Sequence, residues 1–209
     1  MDISEIPVPG YEKVVRGIDR ASGLHALIAV HDTTLGPALG GMRMLPYASE
    51  EEALFDVKRL ARGMTYKSAV AQTGLGGGKS VIIGDPKALK SKALFHAMGR
   101  FVNSLGGLYI TAEDMNIGIS DLEEVRKETK YVTGLSRESG SSGNPSPYTA
   151  RGVVQGMRAV LEELFGNDKF AGRSVLIQGV GAVGGAMAVM LKERGAKVII
   201  AGREPAVLE

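Results

Sequence analysis

Arg173-Ser-Val-Leu-Ile-Gln-Gly179-Val-Gly181-Ala-Val-Gly184 is the stretch whose reading decides the fold. Arg173 to Gly179 is apolar and β-branched, which predicts a strand. Ala182 to Arg194 has helical character, and Lys197-Val-Ile-Ile-Ala201 predicts a second strand. Between the first strand and the helix, Gly179, Gly181 and Gly184 spell G-x-G-x-x-G. That spacing alone is a weak signal in a chain with 29 glycines. A strand before it, a helix after it and a second strand beyond make it the opening of a dinucleotide-binding βαβ unit. Gly179 allows the tight turn, Gly181 lets the backbone approach a pyrophosphate, and Gly184 lets helix pack close to strand. Ala182 and Val183 open the helix, whose unpaired N–H groups would face the phosphates. The bland alternative is a close-packed turn that holds no ligand.

Such a site for NAD calls for an acidic residue at the end of the second strand, against the ribose 2′-hydroxyl. Here the chain reads Ala201-Gly202-Arg203. An arginine there suits a 2′-phosphate, so NADP stands as the alternative to NAD. An ordinary surface turn at Arg203 is the competing reading.

Working back from this unit, Ser136 to Pro147 (SRESGSSGNPSP) is polar and rich in breakers, and marks the domain junction. The expected organisation is a first domain over 1–140 and the start of a dinucleotide-binding domain over 141–209. Thr149 to Leu164 has helical periodicity. In the first domain, Leu24 to His31 predicts a strand and Gly36 to Met44 a turn-rich continuation. Ser49 with Glu52 predicts a capped helix start, followed by an apolar stripe of Leu54, Val57, Leu60 and Ala61. Lys67 to Gln72 and Ser80 to Ile83 predict short buried strands on either side of Gly74-Leu-Gly-Gly-Gly-Lys79. Asp85-Pro86 predicts a helix reaching about Ser104, Gly107 to Thr111 a strand, and Ser120 the cap of a helix through Lys127.

Composition narrows the function classes. There are no cysteines and only three histidines, His25, His31 and His96, at spacings unsuited to a metal pair. No metal site is expected. Charges nearly cancel, 25 Lys+Arg against 23 Asp+Glu, with no like-charge block of the kind nucleic acid or a membrane surface requires. The start, Met1-Asp-Ile-Ser-Glu-Ile-Pro, has no secretory signal pattern, and Val175 to Leu191 is too short and broken to span a bilayer. A cytoplasmic protein with a small-molecule ligand is the expectation.

Lys67 and Lys79 stand among glycines and small apolar residues. A partly desolvated lysine near another cation has a lowered pKa and can serve as a base. A carboxylate in Thr111-Ala-Glu-Asp-Met-Asn116 would complete a proton relay. Taken singly, each lysine reads as a solvated surface residue and G-G-G-K as a flexible turn. A P-loop fails on register: G-x-x-x-x-G-K-[ST] needs glycine at position 73, which is Thr73, and Ser80-Val-Ile-Ile reads as strand where helix is required.

Leu39-Gly-Gly-Met-Arg43, Gly63-Met-Thr-Tyr-Lys67, Gly74-Leu-Gly-Gly-Gly-Lys79, Thr111-Ala-Glu-Asp114, Gly143-Asn-Pro-Ser-Pro-Tyr-Thr149 and the G-x-G-x-x-G occur in one order. Jointly they resemble the glutamate, leucine, phenylalanine and valine dehydrogenase superfamily, nearest its leucine dehydrogenase branch, over residues 5 to about 201. The resemblance implies an α/β fold, with an N-terminal α/β substrate and oligomerisation domain followed by a truncated Rossmann-type βαβ unit. It implies reversible oxidative deamination of an L-amino acid to its 2-oxo acid and ammonia with a nicotinamide cofactor, in a homo-oligomer. By position, Lys67 would pair with the substrate carboxylate, helped by backbone at Gly40 and Gly41, and Met64 would stand beside it. Lys79 would activate water, and Asp114 would handle protons on the amine. Thr149 would sit near the nicotinamide, and a cleft between the domains would exclude water. Glutamate-specific members carry a lysine where this chain has Leu39, so an apolar, branched-chain substrate is implied.

Family chains are longer than 209 residues, so the chain reads as C-terminally truncated, with about a third of a cofactor domain. The alternative function is an inactive remnant that serves as a folding or oligomerisation module.

Overall fold

A computed structural model describes residues 1–202. They form two compact units, Met1–Gly143 and a second that begins at Asn144. The division falls inside the breaker-rich segment, three residues past position 140.

The first unit is a six-stranded mixed sheet with helices on both faces. In chain order it runs β1 (Asp2–Glu5), β2 (Lys13–Asp19), β3 (Leu24–Asp32), β4 (Ala38–Leu45), α1 (Glu50–Val70), β5 (Gly76–Ile83), α2 (Pro86–Leu89), α3 (Lys92–Asn103), β6 (Tyr109–Glu113) and α4 (Ile119–Arg126). The strand order is β1-β2-β3-β5-β4-β6. β1, β2, β3 and β5 pair antiparallel, whereas β4 runs parallel to both β5 and β6. A parallel neighbour needs a long crossover, and α1 supplies it between β4 and β5. Two cores result. Val14, Leu27, Ala29 and Val81 pack with Ala53, Val57 and Ala61 of α1. On the other face, Ile28, Met42, Ile82 and Tyr109 pack with Leu94, Met98 and Phe101 of α3 and Leu122 and Val125 of α4.

α1 starts where Ser49 predicts. The Glu52 amide donates to Ser49 Oγ at 3.2 Å, and the Glu52 carboxylate accepts from the Ala48 amide at 2.8 Å. Several expectations change. Gly36–Met44 is mostly strand, since β4 runs from Ala38 to Leu45, and its glycines lie where neighbouring backbones press in. Lys67–Gln72 is not a buried strand: α1 carries on to Val70, which is 86% exposed. The buried stripe Ala53, Asp56, Val57, Ala61 and Ser68 keeps helical spacing throughout. Gly76 to Gly78 belong to β5 and are no turn. The helix after Asp85 is two helices, because Ser91 caps α3 afresh with a bond from the Leu94 amide at 3.1 Å. α4 begins at Ile119 with Gly118 as its N-cap, whose amide donates to Asp121, so Ser120 lies inside the helix and is not its cap.

The second unit holds α5 (Ser146–Phe165), β7 (Ser174–Gln178), α6 (Ala182–Glu193) and β8 (Lys197–Ala201), with β7 and β8 parallel. Val154, Phe170, Ile177 and Leu191 form its small core. Two strands leave much apolar surface uncovered: Leu176, Val189 and Ile199 are exposed. No helix among the described residues is long and apolar enough to cross a membrane.

Candidate active site

Lys79 lies on β5 between Gly77 and Val81, on the face that α1 covers. It is 5% exposed. Its Nζ is 2.9 Å from Asp114 Oδ2, just beyond the end of β6. Arg43 of β4 donates through Nε to the same oxygen at 2.8 Å. Its Nη1 donates to Asp56 Oδ2 of α1 at 3.1 Å, and the Tyr47 hydroxyl donates there at 2.8 Å. The cluster therefore alternates cation and anion across three strands and a helix.

Burial pulls Lys79 below the ordinary lysine range; the Asp114 carboxylate pulls back, and Arg43 adds to the fall. Burial pushes Asp114 up, but Lys79 and Arg43 outweigh it and hold the carboxyl below its usual value. Tyr47 is pushed well up by burial and by Asp56, so it stays a donor. Glu113, whose pKa burial raises, joins no ion pair among the described residues. The geometry thus picks Asp114 from the two carboxylates of its motif. The cation acting on Lys79 is Arg43, not Lys67.

A folded pKa held down, as at Asp114, contributes stability that is full above the unfolded value near 4 and fades as pH falls through the folded value. Asp114→Asn should therefore lose less stability than the wild-type chain between about pH 5 and pH 3. Thermal melts across that range check it, and parallel losses in the two proteins would refute it.

Glycines let the elements close around this cluster. A Cβ on Gly40 would lie 1.8 Å from the Gly78 carbonyl oxygen and 3.3 Å from Met64 Cγ, and one on Gly41 would lie 2.8 Å from Asp114 Cβ. Leu39 pairs with Gly77 and Met42 with Ser80, a register that puts Gly41 opposite Lys79. Beneath, the buried Tyr109 hydroxyl donates to the Gly40 carbonyl at 2.6 Å. Gly40, Gly41, Met64, Lys79 and Asp114 therefore come together, with the half-buried Leu39 beside them. Lys67 is exposed in the last turn of α1, one turn beyond Met64 on the same side.

The second unit carries the glycine fingerprint. Gly179 follows β7 at φ +92°, a left-handed value, and its amide donates to the Ala201 carbonyl at 2.7 Å. A Cβ on Gly184 would lie 2.0 Å from the Gly179 carbonyl, whereas one on Gly181 would meet nothing within 4 Å. Gly181, Ala182 and Val183 form the start of α6. That is close packing at the third glycine and open space at the second. Thr149 is exposed in the first turn of α5, its hydroxyl donating to the Pro145 carbonyl. Arg203 lies outside the described residues. A groove of about 760 Å³ in this unit is lined by apolar side chains such as Met157, Leu161 and Phe170 and holds none of these residues. No group of three or more metal-ligating side chains occurs among the described residues.

Residues 13–131 match the model of the Glu/Leu/Phe/Val dehydrogenase dimerisation domain, and 140–202 that of glutamate/leucine/phenylalanine/valine dehydrogenase. The chain belongs to this dehydrogenase family. It is 57% identical over 190 residues to leucine dehydrogenase from Geobacillus stearothermophilus, covering 91% of this chain and 52% of that one. Valine dehydrogenase from Streptomyces virginiae is 53% identical over 191 residues, 91% of this chain and 53% of that one. Among solved structures, L-tryptophan dehydrogenase from Nostoc punctiforme matches at TM-score 0.68 and 41% identity, over 95% of this chain and 55% of that one. Hetero-hexameric glutamate dehydrogenase from Thermus thermophilus, at 24% identity and TM-score 0.77 over 92% of this chain and 50% of that one, shares the fold. The chain spans about half the length of the curated relatives it matches.

Arg43, Asp56, Tyr47 and Tyr109 had no role in the sequence reading. Asp56 left one usable signal, a carboxylate beside Val57 on an otherwise apolar stripe.

Proposed function

We propose that this chain is the catalytic half of an NAD(P)-dependent dehydrogenase that reversibly deaminates a branched-chain L-amino acid such as leucine to its 2-oxo acid and ammonia. The observation that carries this reading is the buried Lys79–Asp114 pair beside Gly40 and Gly41, in a chain related to leucine and valine dehydrogenases.

In this reading the exposed Lys67 ammonium and the backbone at Gly40 and Gly41 take the substrate carboxylate. Leu39 and Met64 receive the apolar side chain. Asp114, kept ionised by its two cations, takes a proton from the substrate α-ammonium and leaves the neutral amine. A bound nicotinamide would supply the acceptor for the hydride on the substrate Cα, the loss of which turns the substrate amine into an iminium. Lys79, its pKa lowered by burial, takes a proton from water as the oxygen bonds to the iminium carbon. Asp114 then returns its proton to the nitrogen, the C–N bond breaks with its electron pair on nitrogen, the hydroxyl proton leaves with the ammonia as ammonium, and the 2-oxo acid remains. Gly179, Gly181 and Gly184 with the start of α6 would hold the dinucleotide: open space at Gly181 and the unpaired amides of a helix N-terminus suit a pyrophosphate. Thr149 would lie toward the nicotinamide. The dimerisation-domain match supports a homo-oligomer.

Absorbance of the reduced cofactor tests this, crossing NAD and NADP with Leu, Val, Phe and Glu. The 209-residue chain is assayed as it is and as a chimera continued by the second half of a leucine dehydrogenase. Turnover of Leu and Val and rejection of Glu are expected. A glutamate side chain at Leu39 would have its carboxylate buried without a partner, at a cost of several kcal/mol. A folded chimera inert toward every amino acid with both cofactors would overturn the reading.

A further inference from the structure

The role given to Asp114 depends on how its carboxylate is held. Lys79 and Arg43 approach it from two strands, and both close on Oδ2, at 2.9 and 2.8 Å. Lys79 alone cannot fix a plane, because an ammonium is a point charge on a flexible stem. A guanidinium is a rigid planar fork, and Arg43 spans two carboxylates, Nε on Asp114 and Nη1 on Asp56. Asp56 is held in turn. Tyr47 donates to its Oδ2 at 2.8 Å, and Arg59 meets its Oδ1 at 2.6 Å. The Asp56 side chain is 8% exposed on the stripe of α1 that otherwise packs against the sheet. A carboxylate in that position costs free energy unless it is well paired, and packing alone does not call for it.

We propose that Asp56 and Tyr47 are positioning residues: they fix the Arg43 guanidinium, and Arg43 clamps Oδ2 of Asp114 beside Lys79, leaving Oδ1 to face the substrate amine. This rests on the reading of Asp114 as the group that exchanges protons with that amine. The arm reaches 13 residues along the chain from Arg43 to Asp56 and 71 from Arg43 to Asp114, joining β4 to α1 and to the end of β6.

The charged and titratable groups around Asp114 are Lys79 on β5, Arg43 on β4, Asp56 on α1, the Tyr47 hydroxyl after β4 and the Tyr109 hydroxyl of β6, with Glu113 its neighbour on β6. Removing the Asp56 charge has two effects of opposite sign. Loss of a nearby anion makes Asp114 easier to ionise and lowers its midpoint. Release of Arg43 takes a cation off Asp114 and raises it. A positioning role requires the second effect to win.

The test is a carboxyl-detected NMR titration of the 209-residue chain labelled with ¹³C-aspartate, with Asp114 assigned from the signal lost in Asp114→Asn. Arg43→Met should raise the Asp114 midpoint by about one pH unit or more. Asp56→Asn should move it the same way by less. An unchanged or lower midpoint in Asp56→Asn overturns the proposal. If circular dichroism shows that Asp56→Asn does not fold, Tyr47→Phe decides by the same criterion, since it removes one oxygen and no charge. The titration needs no turnover. An inert chimera would remove the reaction proposed above, while a raised midpoint would still show the arm holding Asp114.

Discussion

Lys79→Met is expected to lower turnover in the chimera about 1,000-fold while the first unit stays folded. General base catalysis contributes roughly 100- to 10,000-fold, and the middle of that range corresponds to about 4 kcal/mol of barrier. Nothing nearby can substitute for Lys79. Arg43 keeps its proton, and Lys67 stands exposed on a different element. Methionine fills similar space on the α1 face of β5 and removes a cation that burial disfavours. Asp114 keeps Arg43 on the oxygen it already shares, so the carboxylate is not stranded. KM for the amino acid should change far less than kcat, because the substrate carboxylate is assigned to Lys67, Gly40 and Gly41. Steady-state kinetics with a thermal melt alongside measures both. A drop in turnover that tracks unfolding, or a variant with more than a tenth of wild-type kcat, would remove Lys79 from the base role. The acid limb of the wild-type pH profile should disappear with it, since the neutral amine grows as pH rises through the lowered lysine value.

The βαβ opening was legible because its signals are local. Strand, glycine turn, helix and strand fall within 29 residues, Arg173 to Ala201, and each glycine has its own reason in the turn. The first unit was less legible where glycine did a job set by distant chain. Gly76 to Gly78 read as a breaker run, since glycine favours turns, yet they form the first three of the eight residues of strand β5. Their reason is the approach of Asp32 to Gly76, Thr65 to Gly77, and Tyr109 and Ala38 to Gly78, which no local pattern announces. Lys67 reads as strand from its local sequence because the small residues around it blur the helical period; packing of α1 on the sheet makes it helical. The motifs named Lys79 and Asp114 through resemblance, and their contact follows from the strand order β5-β4-β6. Arg43 sat in a quoted motif without a role, because its two partners are brought to it by that same order and by the crossover helix.

Gly77→Ala should strongly destabilise the first unit. A Cβ there would stand 2.1 Å from the Thr65 amide nitrogen and 2.5 Å from Thr65 Cα, both backbone atoms of α1. Rotamer changes cannot relieve that contact, so α1 must move away from β5. Retreat opens the core that Ala53, Val57 and Ala61 make with Leu27, Ala29 and Val81, and overpacking of this kind costs about 3 kcal/mol. At 2–4 °C per kcal/mol for a chain of this size, Tm should fall by roughly 10 °C. The same substitution at Gly63 supplies the control. Gly63 lies in α1 with nothing within 4 Å of its Cβ position, so alanine there should stabilise by up to about 1 kcal/mol through helix propensity alone. The damage also reaches the site. Met64 and Lys67 ride on the part of α1 that must shift, so Gly77→Ala should raise KM for the amino acid even at temperatures where the unit is folded. Opposite signs at two glycines 14 residues apart would show that close approach of α1 to β5, and not glycine flexibility, keeps the G-G-G-K run as it is; equal effects would refute it.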